Sequence, residues 1–247
     1  YLYLYYTSEK KEIREEIRKT TVKRRSSALS IVKKILMVSI PISLSSIMSS
    51  INKNIDSFTV VSGLKNFMSA EDAMVQYGIL GGKIDTLTSL PLSFNIAFAT
   101  ALVPAIASAM TKKDMGTAQK RLSFSLLVTM LIGLPCTIGM AIFAKPILEL
   151  LFPNATAGAV LLQISSFTII FTVLEQTING ALQGLGKVMV PAIALGIGVL
   201  AKLVCNLVLV PIPQIGAAGA AIGSVVCHMV ACTIVFIVIR RSIKLKL

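Results

Sequence analysis

The sequence lacks the residue groupings that most enzyme and metal sites need. It holds one histidine, His228, and its four cysteines lie in apolar blocks without the spacing of metal ligands or redox pairs. The stretch QGLGK at 183–187 lacks the further glycine and the Ser or Thr of a phosphate-binding loop, and no second carboxylate is spaced beside Glu175 for acid and base catalysis. These absences argue against an enzyme, and they predict neither a metal nor another cofactor.

Charge is scarce as well. Only 14% of the residues are charged, 55% are hydrophobic, and the apolar residues come in blocks of about twenty or more. A formal net charge of +13 would suit nucleic acid, but the Lys and Arg residues lie between the apolar blocks and not on one face interleaved with aromatics. The expected partner is therefore the lipid bilayer and not nucleic acid.

The apolar blocks predict an all-α membrane protein with six spanning helices. At about 1.5 Å per residue, each block is long enough to cross a hydrocarbon core of about 30 Å. The predicted spans are roughly 31–58, 78–110, 117–143, 158–184, 188–210 and 215–239.

The charges of the connecting loops predict the orientation. Lys and Arg are concentrated before the first predicted span, in the second loop and after the last span, and Lys187 lies without an acidic residue in the fourth loop. This alternation places both ends in the cytoplasm. Residues 1–30 are expected to be the end of a preceding helix and a cytoplasmic amphipathic linker, and residues 31–247 the six-helix lobe. Because the chain opens YLYLYY without an initiator Met or a signal peptide, we expect a fragment of a longer protein.

Ionisable and amide side chains at membrane depth are costly, and they are therefore the candidate functional residues. The candidates for binding a substrate or a cation are Glu175, Lys202, Asn179, Asn206, Gln183, Lys83, Asp85, Lys53 and Asp56.

Glu175 begins a polar stripe on the fourth predicted span, because Asn179 and Gln183 follow at intervals of four residues. The rise per residue puts Glu175 about 18 Å from the next loop, at a depth similar to that of Lys202 on the following span. We therefore predict that Glu175 and Lys202 pair. Two uses of the pair stay open: it holds two helices together, or it faces a water-filled cavity and meets a substrate or a coupling cation.

The remaining buried charges lie nearer the predicted outer interface. Lys83 and Lys53 are expected to snorkel or to pair with Asp85 and Asp56, with substrate binding as the alternative. His228, alone on an apolar span, is expected to be a hydrogen-bonded packing residue.

Two stretches resemble a known family. They are YGILGGKIDTLTSLPLSFNIAFATALVPAIASAM at 77–110 and LEQTINGALQGLGKVMVPAIALGIGVLAKLVCNLVLV at 174–210, the latter followed by IGAAGAAIGSVV at 215–226. Together they resemble the polysaccharide-biosynthesis or stage V sporulation protein B branch of the multidrug/oligosaccharidyl-lipid/polysaccharide (MOP) exporter superfamily. That superfamily also holds the MurJ flippases and the MATE transporters. The match runs through nearly all of residues 31–239.

The resemblance implies two six-helix lobes that rock around a central cationic cavity in the bacterial cytoplasmic membrane. This chain would supply a linker and the second lobe, and the first lobe of the same protein would be its partner. The implied substrate is a lipid-linked oligosaccharide, such as a lipid II-like precursor of peptidoglycan or another polysaccharide. Its pyrophosphate needs positive groups, and Lys202, Lys83 and Lys53 have that chemistry.

The expected function is therefore part of a flippase that works by alternating access, coupled to Na⁺, to H⁺ or to the membrane potential. One alternative is a cation-coupled multidrug antiporter of the same superfamily, in which Glu175 or Asp56 would bind the cation. Another, from a different class, is a non-transporting membrane scaffold that recruits cell-wall enzymes through residues 9–30.

Overall fold

The computed structural model describes residues 28–153 and 155–243, and these ranges contain helices and short connections without a strand. One π-helical turn, Ile79–Ile84, lies between the second and third α-helices. In chain order the described α-helices are α1 Ala28–Leu64, α2 Ala70–Gly78, α3 Asp85–Thr111, α4 Met115–Ile142, α5 Ala144–Leu151, α6 Ala159–Gly184, α7 Met189–Leu209 and α8 Ala217–Ile243.

Six helical segments are long and apolar enough to cross a membrane, which confirms the predicted all-α fold with six spans. They are Ile35–Leu64, Ala70–Thr111, Met115–Ile142, Ala159–Gly184, Met189–Leu209 and Ala217–Ile243. The side of the membrane on which the ends lie stays a prediction. The linker predicted within residues 1–30 falls almost entirely on residues 1–27, which are outside the described ranges.

The chain divides into two compact units, residues 1–39 and residues 40–247. All the packing described below lies within the second unit.

The second span begins earlier than the sequence predicts. Ser69 caps α2 by accepting a hydrogen bond from the backbone N–H of Asp72, and the chain then stays helical through the π turn into α3. Helix α5 was not predicted either, although its Ala144 and Leu148 are buried against neighbouring spans. Eight residues are too few for the span criterion on which the prediction rests.

The apolar core consists mainly of two clusters at opposite ends of the bundle. One lies at the basic end, which we define by Lys112, Lys113, Lys187, Arg240 and Arg241 in or beside the loops there. The basic-end cluster contains buried residues such as Ile106, Leu122, Leu182, Ala194 and Ile239, and the opposite-end cluster contains Leu64, Ile84, Leu148, Leu162 and Ala220.

Buried polar residues lie between these two clusters, at middle depth in their helices. We call them the polar belt: Asp56, Asn95, Thr129, Glu175, Thr177, Lys202, Asn206 and His228. Every belt member except His228 is less than 9% exposed. A polar layer between two apolar clusters requires internal partners, because the hydrocarbon core offers none.

Helix α8 packs extensively against both α6 and α7, whereas α6 and α7 touch each other little. Close approach on α8 depends on glycine, because a Cβ on Gly219 would lie 2.7 Å from Leu209 and one on Gly223 would lie 2.4 Å from Asn206 Oδ1. Helix α6 similarly brings Gly180 against the backbone of Ala99 on α3. The consecutive helices α6 and α7 are therefore separated by α8 over much of their length.

Candidate functional site

The most deeply buried charge of the belt is Lys202 on α7, with 2% of its surface exposed. Its Nζ donates to Asp56 Oδ2 at 2.6 Å and to the carbonyl of Asn52 at 3.2 Å, and both residues are on α1. One turn along α7, Asn206 Nδ2 donates to Asp56 Oδ1 at 2.9 Å and to Thr59 Oγ1 at 2.8 Å. Both oxygens of Asp56 are therefore bonded to α7, and the ammonium compensates the carboxylate.

Glu175 on α6 is paired with His228 on α8. Its Oε2 and His228 Nδ1 are 2.9 Å apart and share a hydrogen bond, with side chains 7% and 17% exposed. The predicted pair of Glu175 with Lys202 is wrong. Because α8 lies between α6 and α7, Glu175 meets α8, and Lys202 meets α1 on the far side of α7. The expectation that His228 is hydrogen-bonded is confirmed.

A third, uncharged part of the belt joins α3, α4 and α6. Asn95 Nδ2 donates to the carbonyl of Val173 at 2.9 Å, and Asn95 Oδ1 accepts from Thr129 Oγ1 at 3.0 Å. Thr129 and Thr177 share a further hydrogen bond of 2.7 Å. Asn95 was not among the residues predicted from the sequence. The sequence did carry a signal for it, because Asn95 is an amide in the middle of a predicted span. Burying this amide costs as much as burying that of Asn179, which was predicted.

The other candidates on α6 have no such network. Asn179 Oδ1 is buried without a hydrogen-bond partner among the described residues, and Gln183 is half-buried near the basic end. Both lie on α6, one and two turns C-terminal to Glu175, as the four-residue spacing predicts. The polar stripe is therefore present on α6, but its first residue, Glu175, makes its ionic contact with α8.

Lys83, expected to snorkel or to pair with Asp85, bonds to a loop instead. Lys83, in the π turn, donates from Nζ to the carbonyls of Ala155 and Ala157, the latter at 3.3 Å, and lies 5.0 Å from the ring centre of Phe152. Lys83 thus fixes the loop before α6 by hydrogen bonds and a cation–π contact. The wide turn places Lys83 toward that loop while Asp85, two residues on, is exposed on α3.

Asp85 lies within electrostatic range of the belt. It interacts through charge with Asp56, Lys202, Lys53 and His228. Lys53, expected to pair with Asp56 or to snorkel, is exposed on α1, and Asp56 is bonded to Lys202 instead.

Exposed polar residues continue from Lys53 and Asp85 along both helices. We call this set the polar face: Ser43, Ser46, Ser50 and Lys53 on α1, and Asp85, Thr86, Ser89 and Ser93 on α3. On α1 they recur every three or four residues, so they share one side of the helix. Lys53 on α1 and Asp85 on α3 are close enough to interact through their charges.

The polar face differs sharply from the exposed side of α4. There the exposed residues of the same spacing are apolar: Phe124, Leu127, Leu131, Leu134, Ile138 and Ile142. An apolar side suits lipid, whereas the exposed charges of Lys53 and Asp85 at membrane depth need water, protein or a polar ligand beside them. The hydroxyls of the polar face add polarity, and five of them bond carbonyls of their own helices: Ser46, Ser50, Thr86, Ser89 and Ser93. The bundle therefore offers one surface for lipid and another for a polar medium, with paired charges directly behind the second.

Comparisons with known proteins agree with this architecture. The sequence profile of the family described as "Lipid II flippase MurJ" matches residues 11–247. The chain is 31% identical over 194 residues to the uncharacterized membrane protein YabM of Bacillus subtilis (strain 168), which covers 78% of this chain and 36% of YabM. It is 28% identical over 178 residues to stage V sporulation protein B of the same organism, which covers 70% of this chain and 34% of that protein.

A solved structure shows the same fold. The outward-facing conformation of a multidrug resistance MATE family transporter of the MOP superfamily superimposes with a TM-score of 0.73 at 19% identity, over 91% of this chain and 49% of that one. At that identity the likeness concerns the fold alone. The chain spans about a third of the length of the two curated relatives named above.

Proposed function

The chain belongs to the lipid II flippase MurJ family, and from that premise we propose that it forms one six-helix lobe of a flippase for a lipid-linked oligosaccharide. The whole flippase would carry a lipid II-like precursor from the cytoplasmic to the outer leaflet by alternating access. The sugar and pyrophosphate would travel beside the lobe in a hydrated cavity while the lipid tail stays in the bilayer. Membership of the MurJ family and the MATE-like fold of a multi-pass membrane bundle support this proposal.

The observation that supports the proposal most directly is the polar face. Its side chains lie within the spanning parts of α1 and α3, where exposed charge is stable only against water or another polar surface. We infer that a second lobe closes over this face and leaves a cavity between the two. Lys53 would then meet the pyrophosphate, and the hydroxyls of α1 and α3 would meet the sugar.

The buried pairs behind the polar face bear on the antiporter alternative. A multidrug antiporter coupled to a metal cation would need a carboxylate free to bind that cation. In the described part of the chain, Asp56 and Glu175 each already have a basic partner at hydrogen-bond distance. The two carboxylates that the antiporter alternative names are therefore both occupied by basic partners, and the carboxylate that the polar face exposes beside Lys53 is Asp85.

The scaffold alternative rests on residues 9–30, which lie mostly outside the described ranges. It predicts that deleting this segment harms cell-wall synthesis more than any change of the polar face. The opposite ranking is expected if transport is the function.

The test is leaflet exchange of fluorescently labelled lipid II in vesicles that hold the full-length protein. We expect Lys53→Ala to slow exchange about tenfold, which corresponds to the loss of one charge-assisted contact. Phe124→Ala is the matched control, because it truncates an exposed side chain on the apolar side of α4. Absence of exchange by the folded wild-type protein, or equal rates for Lys53→Ala and wild type, would overturn the proposal.

A further inference from the structure

Glu175 and His228 are a buried acid–base pair for which neither the transport route nor the packing has an evident need. The pair lies at the seam between α6 and α8, in the polar belt. His228 is the one histidine of the sequence. Its side chain ordinarily changes charge near neutral pH, unlike the lysine of the other buried pair.

The charged and titratable groups around the pair come from several helices. On α8 itself, Cys227 and Cys232 interact with Glu175. On α3, Asp85 interacts with His228. Beyond Cys227 lie Lys202 of α7 and Asp56 of α1, which compensate each other through their own contact.

The charge of the Glu175–His228 pair depends on one proton. With that proton bound, the pair is a carboxylate beside an imidazolium, or a carboxyl beside an imidazole, and its net charge is zero. Without the proton it carries one uncompensated negative charge. Such a charge at membrane depth is unfavourable unless water or a cation reaches it.

The two members of the pair differ in accessibility. The His228 side chain is 17% exposed, while Glu175 is 7% exposed, so the imidazole is the more accessible member. The Lys202–Asp56 pair has side chains 3% and 11% exposed and a second amide contact from Asn206. One buried pair thus has a lysine ammonium as its basic member, and the other has an imidazole.

The position of the pair relates its charge to helix packing. Helix α8 packs against both α6 and α7, and α7 carries the lysine bonded to α1. The seam between α6 and α8 therefore separates two groups of helices. One group is α3, α4 and α6, which carry Asn95, Thr129 and Thr177, and the other is α1 and α7, which carry Asp56 and Lys202. A change in attraction between α6 and α8 acts where these groups meet. These two groups of helices are the parts whose relative movement would alter the polar face.

We propose that Glu175 and His228 form a proton-binding site, and that uptake and release of this proton are coupled to the conformational change of the transport cycle. The inference rests on the proposed transport function for its second half. Its first half, exchangeable proton binding, stands on the geometry of the pair alone.

Proton binding is tested by nitrogen NMR of the full-length protein in lipid bilayers, with histidine labelled by ¹⁵N. The signal of His228 is the one that disappears in His228→Asn. We expect it to change from the protonated to the neutral imidazole pattern between pH 5 and pH 9, at a different pH in Glu175→Gln. A His228 signal that stays in one form over this range, or that is indifferent to Glu175→Gln, would overturn the assignment.

Coupling is tested by lipid II exchange in vesicles with and without an imposed pH gradient of two units. We expect the gradient to change the wild-type rate about threefold or more, and this dependence to be lost in His228→Asn and in Glu175→Gln. Thr233→Val is the matched control on α8, because its exposed hydroxyl bonds to the carbonyl of Met229 in its own helix. Retained gradient dependence in both pair variants would overturn the coupling.

The two experiments keep the separate claims apart. If the folded wild-type protein exchanges no lipid, the proposed function fails, and the NMR titration still decides whether the pair binds a proton. Where His228→Asn does not fold, His228→Gln keeps a hydrogen-bonding amide beside Glu175 and serves in its place.

Discussion

At the scale of single residues, each buried carboxylate of the polar belt has one basic partner. Lys202 compensates Asp56, and His228 meets Glu175. Truncating one member of a buried pair leaves the other without compensation, which is more costly than removing both. The belt is therefore sensitive to single changes and tolerant of matched double changes.

The Lys202–Asp56 contact gives the first prediction. Lys202→Met is expected to lower the free energy of unfolding by about 3–5 kcal/mol, because Asp56 then keeps an uncompensated buried charge. Lys202→Met combined with Asp56→Leu is expected to recover most of that loss. The measurement is thermal unfolding of the four proteins of the double-mutant cycle in detergent. Additive losses in the double variant would show that the two side chains do not interact.

Gly223 gives the second prediction, because it lies directly against Asn206 and has no side chain. A Cβ there would lie 2.4 Å from Asn206 Oδ1, so Gly223→Ala must displace the amide that bonds Asp56. We expect a loss of about 1–3 kcal/mol in the free energy of unfolding. Gly139→Ala on α4 is the matched control, since nothing lies within 4 Å of the position that its added methyl group would take. Equal unfolding temperatures for the two variants would contradict the close approach.

Part of the belt was predictable from the sequence, and its pairings were not. The cost of polar groups at membrane depth identifies Glu175, Lys202 and Asn206 without a structure. Their partners depend on which helices are neighbours, and a chain order of α6, α7, α8 does not reveal that α8 lies between the first two. An estimate of depth alone therefore paired Glu175 with Lys202, whereas its partner in the structure is His228.

At the scale of helices, α6 is the element on which α3 and α4 pack. Close approach is possible because Gly180 and Gly184 recur at an interval of four residues and face α3. On α3 the atoms that meet these two glycines belong to Ala99, Val103 and Ile106.

Gly180 gives the third prediction. Its added Cβ would lie 2.3 Å from the carbonyl oxygen of Ala99, and a backbone atom cannot move aside without its helix. Gly180→Ala is therefore expected to destabilise the protein more than Gly223→Ala, whose obstacle is a side-chain amide. Thermal unfolding of both variants in one detergent compares them directly. A smaller loss for Gly180→Ala than for Gly223→Ala would refute this ranking.

The start of α4 gives a prediction of pH dependence. Asp114 caps this helix, accepting hydrogen bonds from the Thr117 hydroxyl at 2.6 Å and from the Thr117 backbone N–H at 2.9 Å. The hydroxyl contact, followed by the backbone contact, lowers the pKa of Asp114 below its ordinary value of 3.8. A lowered pKa adds stability that is fully present above the unfolded value and is lost as the pH falls through the folded value.

Asp114→Asn keeps a capping side chain but removes the charge, so it isolates this effect. We expect the variant to unfold at a lower temperature than wild type at pH 6, and the difference to shrink as the pH falls below about 3.8. Glu149→Gln is the control, because its exposed carboxylate has only a loose contact of 3.8 Å with Lys145. A difference for Asp114→Asn that is constant over pH would contradict a charge-dependent cap.

At the scale of the whole described bundle, composition predicted the spans and the fold class, whereas helix packing decides which surfaces are left exposed. Apolar blocks of spanning length were sufficient for the six spans and the all-α class. They did not separate the lipid-facing side of α4 from the polar face, because that distinction depends on which side of each helix is left uncovered. Serines such as Ser46 and Ser50 carry little signal alone, and they become informative once their shared exposure is known.

The polar face is thus the central claim: it faces a water-filled route that the headgroup of a lipid-linked substrate occupies. The most direct measurement uses Ser50→Cys in full-length protein whose native cysteines are replaced by alanine, with Leu127→Cys of α4 as the lipid-facing counterpart. Both proteins are reconstituted in vesicles and treated with a water-soluble maleimide, with and without lipid II. We predict that Ser50→Cys reacts, that lipid II slows its reaction, and that Leu127→Cys stays unmodified. Equal reaction at the two positions, or a Ser50→Cys rate unaffected by lipid II, would contradict the claim.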